Sequence, residues 1–562
     1  MFVHLHINSL LHKFSFHSSL SMMQSVAKRL TGSRNYPGLM GRFGNGEELT
    51  RIKFPSDTRL LRRNFAVLGM GEGWTGAMVP GELNQRIRGH FDEAEVDLPV
   101  VMYDKGPVLA VQPGWGHTAL LVPPHPADEG CHNQLLLTGR PFDFPNLLRL
   151  HRMPRWIRRY ANLQPRNKQA QAQSMHPSVL FGRALTWLVE HYQKDTPEDR
   201  ALLKDWATAE TYSLLDEWTA LPTPESPISL DCSAGFSAFG TESGRMYSFG
   251  MNTFGQCGVG LQRRFGDDEI NNAEDDPIAY KNNELTLSRI IWSPEPVMHT
   301  ILNDDDAETI KEGEVLSLES FALGLQHGIG LTADGEVYCW GKGERGQLGQ
   351  DFTTAHSPHA LLVRKGYSLT DSADGRQKPL YRKMGKVVQV AAGMVHSAAL
   401  TADNEVLVWG KHVIPPLPGD AEIGKTASDS KLPCVVQGLP DKTILQIACG
   451  SHHTAILFED GSVYGIGVST DSKEPMLRPM ELIPPGAVDM PVRQFAAHMD
   501  RTTIVGADGR QVLQVHIWED PEFQDYALFT PEWVDRLLSE DSQVCIREVH
   551  RSWLHTVILT DD

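Results

Sequence analysis

Five histidines occupy the same place in a short pattern that recurs along the chain, Gly-x-x-His followed by a small or hydroxyl residue, or a close variant of it. They are His117, His327, His396, His453 and His555. A neutral imidazole is a common ligand for transition metals, so histidines at repeated positions are candidates for a metal site. Whether they could share an ion depends on how far apart the elements that carry them lie.

A second candidate for chemistry is the glycine pattern from Gly341 to Gly346, which matches G-x-G-x-x-G and follows a predicted strand. A dinucleotide site also needs a helix that begins in this turn and an acidic residue about 20 residues later in a βαβ unit. The chain instead continues to Gly349 and irregular polar sequence, so we predict a turn. G-x-S-x-G, H-E-x-x-H and P-loop patterns are also absent, and the sequence therefore predicts no catalytic residue, no metal and no cofactor.

Both patterns belong to a larger repeated unit. Each unit contains an apolar strand, the histidine motif, a second strand, an Asp-Gly turn and a strand that ends in an aromatic-Gly pair. The clearest copies are Leu325–Gly349, Gly393–Gly410 and Gly450–Gly465, with Trp340 and Trp409 at the aromatic position. Weaker copies begin at Gly114, Ala234 and Ala497, and a half unit begins at Ser552.

The repeat predicts an all-β fold made of small antiparallel sheets. The Asp-Gly pair supplies the positive φ of a tight hairpin, and β-branched and aromatic residues fill the strands. One small sheet cannot bury both of its faces, so sheets must stack, and joining the last strands to the first removes the open edge. The terminal half unit, completed by residues 65–76, brings the count to seven. We predict a seven-bladed β-propeller over residues 64–562, closed by N- and C-terminal strands, with a helical insertion between blades.

These motifs resemble the regulator of chromosome condensation repeat family, whose members form seven-bladed propellers. The resemblance is specific around His327, His396 and His453, whereas Ser237 and Arg501 take the place of the usual histidine in two other units. Equivalent positions in successive blades are set apart around the channel. We therefore expect each histidine to hydrogen-bond within its own blade rather than to share a metal.

The composition excludes several classes of protein. Of 562 residues, 52 are Lys or Arg and 70 are Asp or Glu, so the formal charge is −18 and the chain is not a generally basic nucleic-acid binder. Seven cysteines without a CxxC pair predict neither a disulfide framework nor a Cys-rich zinc site, and they fit a reducing compartment. No apolar run is long enough to predict a membrane-spanning helix.

The N terminus has the composition of a targeting segment. Residues 1–46 contain five Lys or Arg, seven Ser and no acidic residue, which is typical of a mitochondrial or plastid transit peptide. The alternative is a disordered tail, and Met22 or Met23 could be the true start. Together with the resemblance, this segment predicts a mitochondrial member of the family, in the matrix or at the inner membrane. A nuclear or cytosolic location is the alternative.

Large insertions interrupt the repeats, and the specific function of a propeller lies in such loops. Residues 144–227 begin with a basic stretch that contains no acidic residue between Asp143 and Glu190. Its basic and aromatic residues include Arg149, Arg152, Arg155, Trp156, Arg158, Arg159, Arg166 and Lys168. Arginine pairs with phosphate and aromatic rings stack on bases, so we predict contact with ribosomal RNA or with an anionic lipid such as cardiolipin. The alternative is that these residues neutralise an acidic propeller face or lie in solvent.

Three further segments are predicted in less detail. The later part of residues 144–227 has an apolar stripe that predicts two helices, the second of which extends to Trp218. Residues 262–288 form an acidic loop that is expected to be solvated. Residues 520–540 contain a predicted short helix, capped by Thr530, that packs on a blade.

The function predicted from these features is that of a mitochondrial propeller scaffold without chemistry of its own. It would bind protein or RNA partners, as in the assembly of ribosomes or respiratory complexes. One alternative is a guanine-nucleotide exchange factor for a small or dynamin-like GTPase, because that activity needs a surface and no nucleophile. A nuclear, chromatin-associated exchange factor is the other alternative.

Overall fold

β-Strands make up nearly all the regular structure of the chain. The computed structural model describes residues 66–72, 77, 95–124, 132–139, 141, 215–260, 290–299, 314–350, 355–371, 377–414, 428–467, 476–499, 501–516, 528–538 and 544–561. These residues contain 32 strands and one short helix.

The strands, numbered in chain order, have the following bounds. They are β1 (Ala66–Glu72), β2 (Glu95–Tyr103), β3 (Ala110–Pro113), β4 (His117–Val122), β5 (Gln134–Gly139), β6 (Leu215–Leu221), β7 (Pro227–Cys232), β8 (Phe236–Thr241), β9 (Met246–Met251), β10 (Ile290–Pro296), β11 (Met298–His299), β12 (Glu314–Val315), β13 (Ser320–Leu323), β14 (His327–Leu331), β15 (Val337–Lys342), β16 (His356–Leu362), β17 (Lys365–Asp371), β18 (Gln377–Lys383), β19 (Val387–Ala392), β20 (His396–Thr401), β21 (Val406–Ile414), β22 (Ser428–Val435), β23 (Ile444–Cys449), β24 (His453–Phe458), β25 (Val463–Gly467), β26 (Met476–Ile483), β27 (Gln494–His498), β28 (Arg501–Val505), β29 (Val512–His516), β30 (Leu528–Phe529), β31 (Cys545–Arg551) and β32 (His555–Asp561). The helix of the described residues, α1 (Glu532–Leu537), lies between β30 and β31.

The strands form seven sheets, which are the blades of a propeller. Blade I contains β31, β32, β1 and β2, and blades II and III contain β3–β6 and β7–β10. Blades IV and V are built on β13–β16 and β19–β22, and blades VI and VII are β23–β26 and β27–β30. The innermost strands contact one another in a closed cycle, in the order β31, β3, β7, β13, β19, β23 and β27. The predicted seven-bladed propeller is therefore confirmed.

Blade I closes the ring by joining the two ends of the described chain. β1 pairs antiparallel with β32, from Ala66 opposite Thr560 to Gly71 opposite His555. The buried hydroxyl of Thr560 donates to the Ala66 carbonyl at 3.1 Å and accepts from the Ala66 amide at 3.2 Å. The predicted closure by N- and C-terminal strands is confirmed, and both β1 and β32 lie in the interior of their sheet rather than at its edge.

Two blades carry an additional hairpin on their outer edge. The pair β11–β12 follows blade III, and β11 lies parallel to the outer strand of blade IV, with His299 opposite Ala360. The pair β17–β18 follows blade IV, and β17 lies parallel to the outer strand of blade V, with Tyr367 opposite Cys434. Blades IV and V are thus six-stranded sheets. The repeat pattern did not predict these hairpins, because they fall between repeat units.

The apolar core lies between blades rather than inside them. One cluster joins Ile329 of blade IV to Leu407 and Trp409 of blade V, and another joins Leu457 of blade VI to Phe495 of blade VII. Because each blade buries its apolar faces against two neighbours, no blade has a complete core of its own.

Residues 520–540, in which a short helix was predicted, contain α1 at Glu532–Leu537. Trp533, Val534 and Leu537 are buried in the cluster that joins blades VII and I. The predicted cap is wrong, because Pro531 occupies the N-cap position and no side chain accepts a hydrogen bond from the helix N terminus. Packing between two blades, and not a capping residue, therefore holds this helix in place.

The predicted second helix of residues 144–227 is wrong at its C-terminal end. Leu215–Leu221 is the outer strand of blade II, and the indole N–H of Trp218 donates to the Met102 carbonyl of blade I at 2.9 Å. The predicted apolar stripe ended at Trp218, which follows the apolar Leu214 by four residues. That spacing places two side chains on one face of either a helix or a strand, so the pattern alone did not distinguish the two.

Several other predicted segments lie outside the described residues. These are residues 1–46, residues 262–288, and the whole basic cluster from Arg149 to Lys168 with the helices predicted after it as far as residue 214. Within the part of the chain that the structure does describe, no helix is long and apolar enough to cross a membrane.

Candidate interaction face

The five repeated histidines connect neighbouring blades. Each is buried, and its Nε2 lies within hydrogen-bonding distance of a hydroxyl on the next blade. The pairs are His117–Ser237 at 2.8 Å, His327–Ser397 at 3.0 Å, His396–Thr454 at 3.2 Å, His453–Thr502 at 3.4 Å and His555–Thr118 at 2.8 Å. The expectation that each histidine bonds within its own blade is wrong. Successive residues of a strand point to opposite faces, so a histidine faces one neighbouring blade and the residue after it faces the other.

Glycine is required three residues before four of these histidines for a steric reason. A Cβ atom at Gly114, Gly324, Gly393 or Gly450 would lie 2.0–2.1 Å from the Cε1 of the following histidine. The imidazole folds back over this glycine to reach the next blade. Blade I has Ser552 instead, and its hydroxyl lies 3.0 Å from His555 Nδ1. The Gly-x-x-His motif is thus a device for joining blades.

The strand register corrects one of the two predicted departures from this motif. Phe236, and not Ser237, stands at the histidine position of blade III, because it pairs with Gly250 as the histidines pair with the glycine that ends the next strand. Ser237 is the hydroxyl that bonds to the histidine of blade II. Arg501 begins β28, as the histidines begin their strands, so it does replace a histidine in blade VII.

Trp340 and Trp409 also join blades. Their indole N–H groups donate to the carbonyl oxygens of Gln256 and Gln347 in the preceding blade, at 2.9 and 3.0 Å. These glutamines lie in the Gly-Gln-x-Gly turns. A Cβ at Gly258 would stand 2.7 Å from the Trp340 ring, so the turn needs glycine to receive the indole.

The G-x-G-x-x-G match is a series of turns, as predicted. The Gly346 amide donates to the Gly343 carbonyl at 2.9 Å, and the Gly349 amide donates to the Gly346 carbonyl at 3.0 Å. No helix begins in this segment, and the chain continues into β16. The arrangement therefore lacks the helix N terminus that a dinucleotide site requires.

Burial keeps four of the blade-joining histidines neutral. It lowers the pKa of His117, His327 and His555 to about 3 and that of His396 to about 4. In the described residues, no group of three or more His, Cys, Asp or Glu side chains is placed to hold a metal ion. We therefore infer that these histidines stabilise the fold by joining blades. A surface for interaction with other molecules must lie on one of the two faces of the propeller.

The two faces of the propeller differ in construction. On one, the loop face, lie the Gly-x-x-His loops and the connections between the third and fourth strands of the blades. The segments 140–214 and 261–289 both leave from this face, between β5 and β6 of blade II and between β9 and β10 of blade III. On the other, the turn face, lie the Asp-Gly turns and the first residues of the innermost strands.

A ring of seven equivalent positions surrounds the channel on the turn face, each eight residues before the histidine position. We call it the turn-face ring: Leu109, Ile228, Glu319, Val388, Leu445, Arg493 and Arg547. Four members are large apolar side chains with exposed fractions of 40, 48, 51 and 49% for Leu109, Ile228, Val388 and Leu445. They belong to the few large hydrophobic residues that are exposed in the described part of the chain.

Strand bulges explain why the ring side chains are exposed. The pairing of the first two strands shifts register at Ile228, Val388, Leu445 and Arg547, so each is an extra residue without a cross-strand partner. The next residue is often fixed to the neighbouring blade. Gln389, for example, donates to the Ile447 carbonyl at 3.1 Å and accepts from its amide at 2.9 Å.

The repeat pattern did not predict this ring. The available signal was a constant eight-residue spacing to the histidine position and an apolar doublet such as Val387-Val388 or Ile444-Leu445. Two adjacent apolar residues do not by themselves show which one is exposed. That becomes clear only when the second residue of the doublet is known to form a strand bulge. The exposed apolar surface was therefore not apparent from the repeat alone.

Comparisons with known proteins agree with this architecture. Two models of the regulator of chromosome condensation (RCC1) repeat match the chain, one at residues 319–347 and 444–472 and the other at residues 334–400 and 422–457. RCC1 repeats are therefore present in the matched residues of the chain. These matches cover the blades in which the histidine, tryptophan and glycine contacts described above are most regular.

Two relatives match parts of the chain. The human probable E3 ubiquitin-protein ligase HERC3 is 30% identical over 152 residues, which are 26% of this chain and 12% of HERC3. The ultraviolet-B receptor UVR8 of Arabidopsis thaliana is 25% identical over 283 residues, which are 43% of this chain and 62% of UVR8. The chain thus spans less than two thirds of the length of these relatives.

Two solved structures share the fold. The crystal structure of human WBSCR16 has a TM-score of 0.51 and 15% identity, and covers 89% of this chain and 100% of its own. The structure of yeast RCC1 (Prp20) bound to Kap60 has a TM-score of 0.50 and 14% identity, and covers 94% of this chain and 97% of its own. At such identities the likeness supports the propeller fold alone.

The fit of the histidine over its glycine predicts the effect of a single methyl group. We expect Gly393→Ala to lower the free energy of unfolding by about 2–4 kcal/mol, because its Cβ would stand 2.1 Å from the His396 ring and displace it from Thr454. Gly385→Ala is the matched control, since the nearest atom to its Cβ is Asp403 Oδ2 at 3.8 Å. Urea unfolding measures both variants, and an equal loss in the two would contradict this account.

The buried histidines also predict a loss of stability in acid. The unfolded chain binds protons on its histidines as pH falls below about 6.5, while the native histidines stay neutral down to about 3 or 4. The free energy of unfolding should therefore fall by about 1.4 kcal/mol per pH unit for each of them.

His396→Gln removes one of these groups. The slope of unfolding free energy against pH between 6 and 4 should therefore decrease by about 1.4 kcal/mol per pH unit, which corresponds to one proton. Burial raises the pKa of Asp231 to about 6, which acts in the opposite direction, but this residue is common to both proteins and cancels in the difference. Urea unfolding across this pH range measures the slope. An unchanged slope would show that His396 is not held neutral.

Proposed function

We propose that the chain is a protein-binding scaffold and that a partner protein docks on the turn-face ring. The observation that carries the proposal is the set of four exposed apolar side chains at equivalent positions around the channel. Exposed apolar groups on a rigid surface are typical of protein interaction sites. Yeast RCC1, which has the same fold, is described in its structure as bound to the protein Kap60, and this supports a protein partner.

The ring combines apolar contact area with charges that can orient a partner. Burying each exposed aliphatic side chain would contribute about 1 kcal/mol or more to binding. Between them stand Glu319, Arg493 and Arg547. The Arg547 guanidinium is itself fixed to the next blade, because Nη2 donates to the Leu109 carbonyl at 2.8 Å and Nη1 donates to the Val108 carbonyl at 3.1 Å. A preorganised surface of this kind loses little conformational entropy on binding.

Guanine-nucleotide exchange on a small or dynamin-like GTPase is one form that this binding could take. Exchange requires a surface that displaces loops holding phosphate and Mg²⁺, and it requires no nucleophile on the exchange factor. The turn-face ring offers apolar side chains beside an acidic one, Glu319, and is compatible with such a role. A scaffold for complex assembly uses the same surface without accelerating nucleotide release, so measuring nucleotide release from a bound GTPase separates the two.

We also propose a mitochondrial location for the protein and contact with an anionic partner, ribosomal RNA or cardiolipin. Residues 1–46 have the composition of a mitochondrial transit peptide, and the nuclear location is the alternative. The basic segment from Arg149 to Lys168 is proposed to contact ribosomal RNA or cardiolipin through arginine–phosphate pairs. β5 ends and β6 begins on the loop face, on either side of the insertion that contains this segment. A protein partner on the turn face and an anionic partner on the loop face would not compete.

Charge placed in the ring is expected to abolish docking. We expect the double variant Val388→Asp and Leu445→Asp to retain the folded propeller and to lose its partner, because buried carboxylates would replace apolar contacts. Val315→Asp is the control, since Val315 is also exposed but lies in the outer hairpin β11–β12. A photo-crosslinking residue at position 445 identifies the partner, and affinity is then measured with the purified pair. Equal binding by the ring variant and the control would refute the ring as the docking site.

The targeting prediction has a separate test. Residues 1–46 fused to a fluorescent reporter should bring the reporter to mitochondria, because a basic segment without acidic residues is drawn toward the negative-inside membrane. Replacing its five Lys and Arg residues with Gln should leave the reporter in the cytosol. Microscopy and fractionation report the location. Accumulation of the unaltered fusion in the nucleus would favour the chromatin-associated alternative.

A further inference from the structure

The innermost strands of the seven blades each place one equivalent side chain between the turn face and the loop face. It stands five residues before the histidine position and lies opposite the residue two after that position, as Asp231 lies opposite Ala238 and His550 opposite Val557. We call this set the channel layer: Gln112, Asp231, Ala322, Ala391, Ala448, Ala496 and His550. Blades I to III thus supply polar side chains, and blades IV to VII supply alanine.

The channel is accessible at this layer and narrow at the loop face. Most members of the layer are half-buried rather than buried, although they lie inside the ring of blades. At the loop-face end, neighbouring loops hydrogen-bond directly from blade to blade, for example from the Leu325 amide to the Met394 carbonyl at 3.2 Å. The Trp115 and Trp553 rings also meet there, with centroids 4.8 Å apart. The turn face therefore offers the wider entrance.

Asp231 brings a carboxylate into the channel layer without a cationic partner. Its Oδ2 accepts from the Leu323 amide of blade IV at 2.8 Å, and its Oδ1 accepts from the Cys232 amide at 2.8 Å. Within the part of the chain that the structure describes, no Lys or Arg pairs with it. Burial raises the pKa of this carboxyl to about 6, whereas the two amides and the His550 imidazole lower it. Each oxygen has a second lone pair, so Asp231 can accept from a further donor.

His550 offers a second acceptor atom. The residue is 8% exposed, and its Nε2 lies 3.0 Å from Glu548 Oε2 and farther, at 3.4 Å, from the Gln494 amide nitrogen. A carboxylate only accepts hydrogen bonds, so the shorter contact assigns the ring proton to Nε2 and leaves Nδ1 as an acceptor. Nδ1 is buried, and none of the described residues hydrogen-bonds to it. A buried acceptor without a donor is costly, so it indicates a ligand independently of Asp231.

The basic groups around His550 are directed elsewhere. The Arg547 guanidinium is held by Glu548, with Nε 3.2 Å from Oε1, and by two carbonyl groups of blade II. Arg551 follows His550 directly, so its side chain leaves the opposite side of β31. The His498 ring contacts the His550 ring, and burial lowers the pKa of His498 to about 3, so that it carries no positive charge at neutral pH.

These features point to a cationic hydrogen-bond donor. A buried carboxylate is stabilised by a paired positive charge, and the acceptor on His550 needs an N–H or O–H group. In the described residues, no group of three or more His, Cys, Asp or Glu side chains is placed to hold a metal ion. The short alanine side chains of blades IV to VII leave space opposite the acceptors for a hydrocarbon chain.

We propose that the channel layer binds the ammonium group of an aliphatic primary amine. Its N–H groups donate to the Asp231 carboxylate and to His550 Nδ1, and its hydrocarbon chain lies beside the alanines. A free amine and a lysine side chain of a partner protein carry this same group. The site uses none of the residues of the turn-face ring, so the two proposals can fail separately.

Ligand-detected NMR with the full chain tests the proposal. The probe is n-butylammonium at neutral pH, and titration gives its dissociation constant. We expect Asp231→Asn to weaken binding by about tenfold or more, because a charged acceptor becomes neutral. Asp334→Asn makes the same change of charge in an exposed turn outside the channel and should leave affinity within about twofold.

A second variant keeps both acceptors and removes the space for the ligand. Ala496→Leu places a larger side chain in the channel layer on the blade next to His550, so we expect it to abolish binding. Thermal unfolding shows which variants are folded, and Ala496→Leu decides the question if Asp231→Asn does not fold. Nα-acetyl-lysine methylamide separates the two sources of the ammonium group. Tighter binding of this capped lysine than of butylammonium would support a partner's lysine, and the reverse order would support a free amine.

Several outcomes would overturn the proposal. Equal losses for Asp231→Asn and Asp334→Asn would indicate attraction by overall charge alone. Equal binding of trimethylbutylammonium, which has the charge but no N–H group, would exclude recognition by hydrogen bonds. Displacement of the probe by K⁺ as readily as by a second amine would indicate a site for a monovalent metal ion. Unchanged binding by a folded Ala496→Leu variant would place the amine outside the channel layer.

Discussion

The pairing of β1 with β32 is the constraint on which the rest of the structure depends. Each apolar cluster is shared by neighbouring blades, as Ile329 and Trp409 are shared by blades IV and V. A row of such blades would expose one apolar face at each end. Pairing Ala66–Gly71 with His555–Thr560 removes both exposed faces at once, because it completes blade I from the two ends of the described chain. Closure therefore gives every blade two neighbours against which to bury its apolar faces.

Closure into seven blades also fixes what the repeat must contain. A histidine reaches the next blade only if its ring folds over the glycine three residues earlier, and the hydroxyl that meets it must follow a histidine position by one residue. The tryptophan reaches the preceding blade only if a glycine-lined turn receives it. The histidine and glycine patterns that were candidates for metal or nucleotide binding are thus contacts that join neighbouring blades. Burial keeps the imidazoles of His117 and His327 neutral.

The sequence was sufficient to predict those features that repeat. The propeller, the closing strands and the short helix near Trp533 were predicted because turns and periodic apolar residues encode them locally. The direction of the histidine hydrogen bonds was not predicted. Strand alternation shows that His327 and the residue after it face opposite neighbouring blades, but it does not show which of the two blades the histidine faces. The bulge at Val388 and the equivalent places of Asp231 and His550 in the channel layer depend on register, which residue types alone do not determine.

The residues of the turn-face ring contribute less to the stability of the fold than the histidines, glycines and tryptophans that join the blades. A bulged residue has no cross-strand partner and lies outside the core, so any polar residue would serve the fold at positions 228, 388 and 445. Glu319, Arg493 and Arg547 show that charged residues are accepted at this position. Exposed leucine, isoleucine and valine at the other four positions are therefore not explained by folding. The proposed contact with a partner would account for their apolar character, because the rigid blades beneath them would present the four side chains without a large loss of conformational entropy.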